Sequence, residues 1–365
     1  MLTEHEITEL QISAPGRICL FGEHQDYLNL PVITSAISLR IFVYGKRIDN
    51  RQIFIRLPQL GSCESFILQH EIPYVKERDY FRSAVNIMQR HGYTFSSGFE
   101  CEVMGEIPIN AGTSSSSALM VAWVQFLARM SDQQMWLEPE LTARYAHQAE
   151  VLEFNEPGGM MDHFSTALGK LIYLDFSPEV HYQKLPLKLK SFVLGDSMQE
   201  KNTKYILTRV KNEVINVSQN LKHIYPDFSL RNVSDEDLEK FEPALTAEQN
   251  TILSGTIKNY RITQEAKKVL TSANVDHKKI GRLLNKHHNV LRNVLKISTP
   301  KIDSMIEAAL EAGAYGAKIN GSGGGGCMFA YAPKNTEKIA EAIESRGGKA
   351  YIIHVADGID ADLIK

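Results

Sequence analysis

Residues 106–123 read EIPINAGTSSSSALMVAW, and this stretch is the strongest indication of fold and function in the sequence. A loop of small and polar residues, with Gly112 before four serines at residues 114–117, runs directly into an apolar segment that begins at Ala118. The apolar segment predicts a helix buried on nearly every side. The first amides of a helix lack backbone partners and carry the positive end of its dipole, so such a loop can bind an anion. An ordinary helix cap with surplus serines is the alternative, and no lysine follows as in a Walker-type loop.

A second segment is rich in glycine. Residues 313–327 read GAYGAKINGSGGGGC and place five glycines within the six positions 321–326. Glycine loses much backbone entropy on folding, and it is tolerated where the chain must approach another backbone or a phosphate closely. A flexible linker is the alternative, but the apolar run CMFAY follows at once from Cys327. This continuity favours a structured ligand loop.

A third segment concentrates charged side chains. Residues 14–27 read APGRICLFGEHQDY, so an arginine, a glutamate, a histidine and an aspartate lie within ten residues of one another. A solvated hairpin rim is the alternative interpretation. It explains the charges but not their position beside the apolar, glycine-bounded run of residues 18–22. The segment therefore predicts a cluster of charged side chains beside an apolar strand.

Composition narrows the class of protein. The chain has 365 residues, with 40 basic and 43 acidic side chains and a net charge of −3. No block of like charge stands out, so nothing points to nucleic acid or a membrane surface as a partner, and nothing indicates an oligomeric state. The four scattered cysteines have no CxxC or zinc spacing and predict free thiols in a reducing compartment. The acidic N-terminus predicts no signal peptide and no stretch predicts a membrane span, so we expect a cytoplasmic protein.

The pattern of apolar residues divides the chain into two parts. Up to about residue 190, short strand-like runs interleave with helical stretches. Residues 202–314 then show long helical periods, and strand-like runs return at residues 326–331 and 350–355. The length and this shift predict an α+β chain of two domains, with residues 1–190 forming the first and residues 191–365 the second.

In this order and spacing the three segments resemble the GHMP kinase superfamily, and within it the galactokinase branch. Residues 16–27 are similar to the galactokinase signature G-R-x-N-L-I-G-E-H-x-D-Y, and residues 108–118 to the phosphate loop P-x-x-x-G-L-S-S-S-A. Ala149-Glu150 followed by residues 157–164 is similar to A-E…P-C-G-I-M-D-Q-F. The resemblance extends through the helical part and runs nearly end to end.

The resemblance implies a fold and an activity. The implied fold is the two-domain α+β GHMP kinase fold, with an N-terminal domain like ribosomal protein S5 and a ferredoxin-like C-terminal domain that carries helical insertions. The implied activity is direct in-line transfer of the γ-phosphoryl group of ATP to a monosaccharide hydroxyl, with the anomeric hydroxyl of galactose or a related sugar as the expected acceptor. ATP and Mg²⁺ are the implied cofactors, and a small sugar is the implied partner.

The resemblance also implies roles for individual residues. Asp162 would accept or align the proton of the attacking hydroxyl, and Arg17 would face both Asp162 and the transferring phosphoryl group, although a helix cap is the alternative for Asp162. The implied ligands of Mg²⁺ are Ser116 and Glu150. The implied ATP-binding residues are Gly112, Ser114, Ser115, Ser116, Ser117, Gly323 and Gly324. The implied sugar-binding residues are Glu23, His24, Asp26, Gly159 and Tyr205, with a structural role as the alternative for His24 and for Tyr205. Loose candidates for the adenine pocket are Tyr80, Phe81 and Met88.

The sequence departs from galactokinases beside the implied sugar pocket. After Tyr27 it reads Leu28-Asn29-Leu30-Pro31, where the family usually has a polar turn that contains glycine. The acceptor therefore stays open to fucose, arabinose, a uronic acid or a heptose phosphate, and more distantly to mevalonate-like alcohols. A ligand sensor without catalysis is a further alternative, but such a chain could have lost Arg17, Asp162 or part of the serine loop, and all of these are present.

Overall fold

The structure is a computed structural model that describes residues 7–109, 111–187, 189–200 and 203–362. Its strands are β1 (Glu9–Phe21), β2 (Val32–Ile48), β3 (Gln52–Leu57), β4 (Ser62–Ile67), β5 (Gly98–Gly105), β6 (Leu171–Asp175), β7 (His181–Lys184), β8 (Phe192–Asp196), β9 (Gly316–Ile319), β10 (Cys327–Tyr331), β11 (Lys349–Ile353) and β12 (Asp360–Asp362). Its α-helices are α1 (Tyr80–Arg90), α2 (Ser115–Met130), α3 (Pro139–His147), α4 (Met161–Leu168), α5 (Thr203–Ile224), α6 (Asp235–Phe241), α7 (Ala247–Leu270), α8 (His277–Asn293), α9 (Pro300–Glu311) and α10 (Thr336–Glu344).

The first sheet has eight strands and is built around two long ones. Its main order is β12-β1-β2-β5-β3-β4, and β6 and β7 extend it from the first half of β2. Strand β2 can serve two neighbours because Val32–Ser35 pair with β6 while Ile41–Ile48 pair with β5. Helix α2 packs on β1 and β2, and 12 of its 16 residues are buried, so the predicted buried helix is confirmed.

The second sheet has the antiparallel order β11-β8-β10-β9. Helices α9 and α10 pack against it, and α8 packs along β9. The strands predicted near residues 326–331 and 350–355 are confirmed as β10 and β11, and the helical middle is confirmed as α5 to α9. Both sheets carry helices in a mixed order, which confirms the α+β class.

The predicted boundary at residue 190 lies between β7 and β8, where the chain leaves the first sheet for the second. Strand β12 then returns to the first sheet and pairs with β1, with Asp360 opposite Ser13. The division into residues 1–190 and 191–365 stays a prediction, and the last strand of the described chain contributes to the sheet of the first part.

Two smaller expectations concern thiols and membranes. Cys19 and Cys101 are buried free thiols as predicted, whereas Cys63 is exposed. Among the described residues, no helix combines the length and the apolar character needed to cross a bilayer.

Candidate active site

One cleft gathers most of the residues that the sequence singled out. It lies where the end of β1, the start of α2, the start of α4 and the glycine-rich loop after β9 meet. The sequence-predicted residues that line it are Arg17, Glu23, His24, Asp26, Tyr80, Gly112, Ser114, Ser115, Ser116, Ser117, Glu150, Gly159 and Asp162. Three others, Gly323, Gly324 and Tyr205, do not line it.

Arg17 and Asp162 form a two-pronged ion pair at the centre of the cleft. Arg17 Nε donates to Asp162 Oδ1 and Nη2 donates to Oδ2, each at 2.8 Å, while Nη1 donates to the carbonyl oxygen of Gly112 at 2.5 Å. The β1–β2 register breaks between Pro15 and Arg17, and an irregularity of this kind re-aims a side chain. The guanidinium is thus fixed both by the carboxylate of Asp162 and by the backbone of the serine loop.

The pair keeps both groups charged. Burial alone would raise the pKa of Asp162, but the charge of Arg17, together with hydrogen bonds and the neighbouring His163, holds that pKa below its ordinary value. Burial would likewise lower the pKa of Arg17, but the charges of Asp162 and Glu23 and the hydrogen bonds to Asp162 together raise it. Asp162 is the second residue of α4, whose cap is Met160, so the alternative of a capping aspartate is not supported.

The serine loop ends in an uncapped helix start. Ser114 has a left-handed backbone (φ 61°), and its side chain makes no capping hydrogen bond to α2. Its carbonyl oxygen accepts a hydrogen bond from the amide of Ala118 at 2.9 Å, so the helix starts here, and residues 114–117 line the cleft. The ordinary cap is therefore absent at this helix start, and the site retains the donors that an anion needs.

Two buried carboxylates, those of Glu23 and Asp26, line one end of the cleft. Glu23 is 2% exposed, and its Oε2 accepts a hydrogen bond at 2.8 Å from Lys318, which is itself fully buried. Asp26 Oδ2 accepts the amide of Met161 at 3.3 Å, and no described side chain donates to Asp26. Burial, followed by the nearby charge of Asp162, raises the pKa of Asp26 to about 6. This end of the cleft can accept hydrogen bonds from a polar ligand.

His24 has protein partners on both ring nitrogens. Nε2 lies 3.1 Å from the carbonyl oxygen of Ser322, so it donates there, and Nδ1 lies 2.7 Å from the hydroxyl of Tyr27, which it accepts. Burial lowers the pKa of His24 to about 4. His24 thus links Tyr27, in the turn after β1, to the glycine-rich loop, and this geometry supports the structural alternative over direct binding of the expected sugar.

We expect this buried histidine to make the folded state sensitive to acid. Its pKa is about 4 in the folded chain and about 6.5 when exposed, so the unfolded state binds the proton first and stability falls as pH drops from 6.5 toward 4. The full contribution is about 3 kcal/mol. Denaturant unfolding at several pH values should show that the free energy of unfolding falls less steeply with decreasing pH in His24→Asn than in the parent. Asparagine is the chosen replacement because it tolerates the left-handed backbone at this position (φ 62°). Equal slopes for variant and parent would contradict the expectation.

Gly159 is required because Asp26 lies against its α-carbon. A β-carbon at Gly159 would sit 2.1 Å from Asp26 Oδ2, which is a clash. The neighbouring Gly158 is different, because a β-carbon there would meet only Val151 at 3.6 Å. This close approach explains why a glycine precedes α4 at the point where the chain passes the carboxylate of Asp26.

These two glycines supply a matched pair of variants. Gly159→Ala should displace Asp26 and lower kcat/KM for the acceptor by about 10²-fold, as a misplacement of about 1 Å can do, with the KM for ATP near the parental value. Gly158→Ala should stay near the parent in both constants. Steady-state kinetics with each substrate varied checks this, and similar acceptor constants for the two variants would contradict it.

Ser116 and Glu150 face the same cleft and fit a magnesium ion. Glu150 lies on a π-helical turn, Gln148–Leu152, and its Oε2 bonds to His163 Nε2 at 2.7 Å. Its other carboxylate oxygen has no hydrogen-bond partner among the described residues. One hydroxyl and one carboxylate oxygen are hard donors of the kind that Mg²⁺ takes when phosphate oxygens and waters complete its shell.

The glycine-rich loop holds the serine loop. A β-carbon at Gly321 would lie 2.7 Å from the carbonyl oxygen of Gly112, and one at Gly326 would lie 2.6 Å from that of Ala111. Asn320 donates to the Gly112 carbonyl at 2.8 Å and accepts the amide of Cys19 at 2.9 Å. The prediction of a structured loop that approaches another backbone is thus supported.

The predicted ATP contacts of Gly323 and Gly324 are not supported by this geometry. A β-carbon at Gly323 would lie 2.5 Å from Ile297, and the amide of Gly324 donates to the Ile297 carbonyl at 2.7 Å. A β-carbon at Gly324 would clash with Ile206 of α5 at 2.1 Å. Both glycines are needed for packing against these isoleucines.

Tyr205 and two adenine candidates also lie elsewhere. Tyr205 is 64% exposed; the side of α5 that lines the cleft carries Lys204 and Leu207, which are three positions apart and share a helix face. Phe81 and Met88 are buried in the core of the first sheet, so only Tyr80 of the three adenine candidates lines the cleft. A helix period alone could not tell which face of α5 turns inward.

Sequence reasoning missed Lys318, Asn320 and His163. Lys318 lies 295 residues from its partner Glu23, and a charged residue in an apolar strand was the only available signal. Asn320 lies within the glycine-rich stretch, in which only the glycines indicate a function. His163 was readable as a departure, since the similar family motif has glutamine at that position.

Three family profiles match this chain. They are the galactokinase galactose-binding signature over residues 4–47, the GHMP kinases N terminal domain over residues 79–170 and GHMP kinases C terminal over residues 267–350. Together they span more than half of the sequence. The chain belongs to the GHMP kinase superfamily, which confirms the resemblance and the fold. It is an ATP-using phosphotransferase that acts on an alcohol group of a sugar or another small metabolite.

Relatives of two kinds are similar over nearly the whole chain. Mevalonate kinase of Thermococcus sibiricus is 28% identical over 356 residues, which cover 94% of this chain and 95% of the relative. Galactokinase of Actinobacillus succinogenes is 28% identical over an alignment of 372 positions, which covers 96% of this chain and 94% of the relative. The crystal structure of Lactococcus lactis galactokinase complexed with galactose matches with a TM-score of 0.86 at 21% identity, covering 99% of this chain and 97% of that one. The fold is thus that of galactokinase.

Proposed function

We propose that this protein is a sugar kinase that transfers the γ-phosphoryl group of ATP to a hydroxyl of a monosaccharide, with the anomeric hydroxyl of galactose or a related sugar as the first candidate. Asp26 carries this proposal. It is a buried carboxylate at the acceptor end of the cleft, and the one hydrogen bond at its Oδ2 comes from a backbone amide. Burying such a group is costly unless it is hydrogen-bonded, and neighbouring sugar hydroxyls supply donors. Glu23 adds a second buried carboxylate to the lining of the cleft.

Asp162 and Arg17 would orient the reacting groups. The carboxylate of Asp162 remains ionised at neutral pH because Arg17 stabilises its charge, so it can accept the hydrogen of the attacking hydroxyl. Arg17 also bonds to Gly112 and so stands between the acceptor and the serine loop. Phosphoryl transfer depends mainly on positioning and charge stabilisation, and both groups are held by short hydrogen bonds before any substrate arrives.

The start of α2 would hold the phosphates. Residues 114–117 line the cleft, and the side chain of Ser114 does not cap the helix, so the first amides of α2 are left to bind an anion. Ser116 and Glu150 would hold Mg²⁺, which neutralises phosphate charge in reactions of this class. Arg78 lines the same cleft and is tied to Glu156 by two hydrogen bonds of 3.0 and 2.7 Å, so its charge is already compensated.

A screen of ADP release over acceptors tests the proposal. The panel contains galactose, fucose, arabinose, a uronic acid, sugar phosphates that include a heptose phosphate, and mevalonate. We expect turnover with at least one sugar or sugar phosphate, and loss of that turnover in Asp26→Asn through a raised KM for the acceptor. Turnover with mevalonate alone, unaffected by Asp26→Asn, would overturn the sugar assignment.

A mevalonate-like alcohol is the second candidate, because the relatives named mevalonate kinase are as similar as those named galactokinase. A non-catalytic sensor is a third possibility, and it is disfavoured because Arg17, Asp162 and the serine loop are all in place in one cleft. Binding of sugar and ATP with no ADP release by any panel member would support the sensor.

A further inference from the structure

His163 directly follows Asp162 and contacts Glu150 instead of Arg17. Its Nε2 lies 2.7 Å from Glu150 Oε2, and the two side chains are 2% and 9% exposed. A carboxylate can only accept here, so Nε2 is the donor. Nδ1 of the same ring is buried and has no hydrogen-bond partner among the described residues. The contact with Glu150 is therefore the one hydrogen bond that orients this imidazole in the described structure.

The ring has little freedom to leave this position. His147 packs edge-on against it, with ring centroids 5.3 Å apart and planes at 82°. His163 also lies in the first turn of α4, whose start is fixed by the ion pair of Asp162 with Arg17. Packing and backbone thus hold the imidazole still while it donates.

Glu150, in contrast, needs an orienting partner. It lies on the π-helical turn Gln148–Leu152, a wider turn of the kind that often occurs at functional sites. A glutamate side chain has many rotamers and loses much conformational entropy when it is fixed. A hydrogen bond from a rigid neighbour limits that cost before a cation binds.

We propose that His163 is a positioning residue that holds the carboxylate of Glu150 ready for the divalent cation that accompanies ATP. This inference rests on the proposed kinase function, in which Glu150 and Ser116 hold Mg²⁺. Groups that hydrogen-bond to metal ligands typically change metal affinity or activity by about 10–100-fold when they are removed. Two consecutive residues of α4 then orient two different parts of the site: Asp162 serves the acceptor side and His163 the cation side.

The test compares His163→Ala with His163→Gln. Alanine removes the donor, whereas the amide of glutamine can still donate to Glu150, and glutamine is the residue of the similar family motif. We expect His163→Ala to raise the Mg²⁺ concentration for half-maximal activity by about 10–100-fold, with kcat at saturating Mg²⁺ and the KM for the acceptor near the parent. His163→Gln should recover most of the Mg²⁺ dependence.

A second measurement does not need turnover. Electron paramagnetic resonance of Mn²⁺ titrated into protein with ADP should give a weaker Kd for His163→Ala than for the parent, with His163→Gln in between. If the acceptor screen finds no substrate, this binding series still tests His163, so the two proposals can fail separately. An unchanged Mn²⁺ Kd in His163→Ala would overturn the inference. A loss of ADP affinity in His163→Ala that is the same with and without the metal would also overturn the inference, because that outcome indicates a purely structural role. If His163→Ala does not fold, a parental Mn²⁺ Kd in Glu150→Gln would overturn it.

Discussion

Replacing Asp162 by asparagine should lower kcat by about 10²–10⁴-fold, the range that a positioned proton acceptor contributes. The amide has nearly the same shape, and its oxygen can still accept one of the two hydrogen bonds from Arg17. It cannot accept the proton of the attacking hydroxyl. Single-turnover measurement of ADP release with saturating ATP and acceptor gives the effect on the chemical step directly.

Controls separate chemistry from folding. Asp162→Asn removes the charge beside Arg17, which is 4% exposed, so some loss of stability is expected and should be measured by thermal unfolding. ADP binding should persist, because the start of α2 is untouched. A variant that binds ADP and turns over within a few-fold of the parent would show that Asp162 has no part in the transfer.

The pH dependence of the parent follows from the same ion pair. Since the pKa of Asp162 is held below its ordinary value of 3.8, its carboxylate stays ionised as the pH falls toward 4. Its contribution to folding is then present above that ordinary value and is lost only as the pH falls through the depressed folded pKa. Any acidic limb of activity that begins near pH 6 should instead follow Asp26.

Local patterns predicted the parts of the site that depend on neighbours in sequence. The serine loop and α2 were readable because a polar loop followed by an all-apolar helix has few other uses. The strands and helices after residue 190 were readable from their periods. The pairing of Arg17 with Asp162 spans 145 residues and entered only through the family resemblance.

The parts that sequence could not predict depend on which surfaces meet. Glycine permits close approach, which favours phosphate contacts for Gly323 and Gly324, yet the close neighbours of these two glycines are Ile297 and Ile206. Tyr205 was assigned to the sugar, yet Leu207 of the same helix lines the cleft. In each case the residue type indicates crowding or polarity but does not identify the residue that lies next to it.

Lys318 gives the clearest example of a hidden partner, and its replacement should have the largest effect on stability. It is fully buried in β9, and its Nζ donates at 2.8 Å to both Glu23 Oε2 and the carbonyl oxygen of Cys19. The ammonium also lies 5.0 Å from the centre of the Phe329 ring. Lys318→Met keeps most of the volume but leaves Glu23 as an unpaired buried carboxylate, which should lower the free energy of unfolding by about 3–5 kcal/mol.

A double-mutant cycle identifies the cause. Glu23→Gln in the Lys318→Met background removes the stranded charge, so the double variant should lose less stability than the sum of the two single variants. Urea unfolding at fixed pH measures all four proteins. Additive losses would show that the two side chains do not interact energetically. Because Glu23 lines the proposed acceptor end of the cleft, Lys318→Met should also raise the KM for the acceptor more than the KM for ATP. The buried pair between the turn after β1 and strand β9 would then contribute to the choice of substrate.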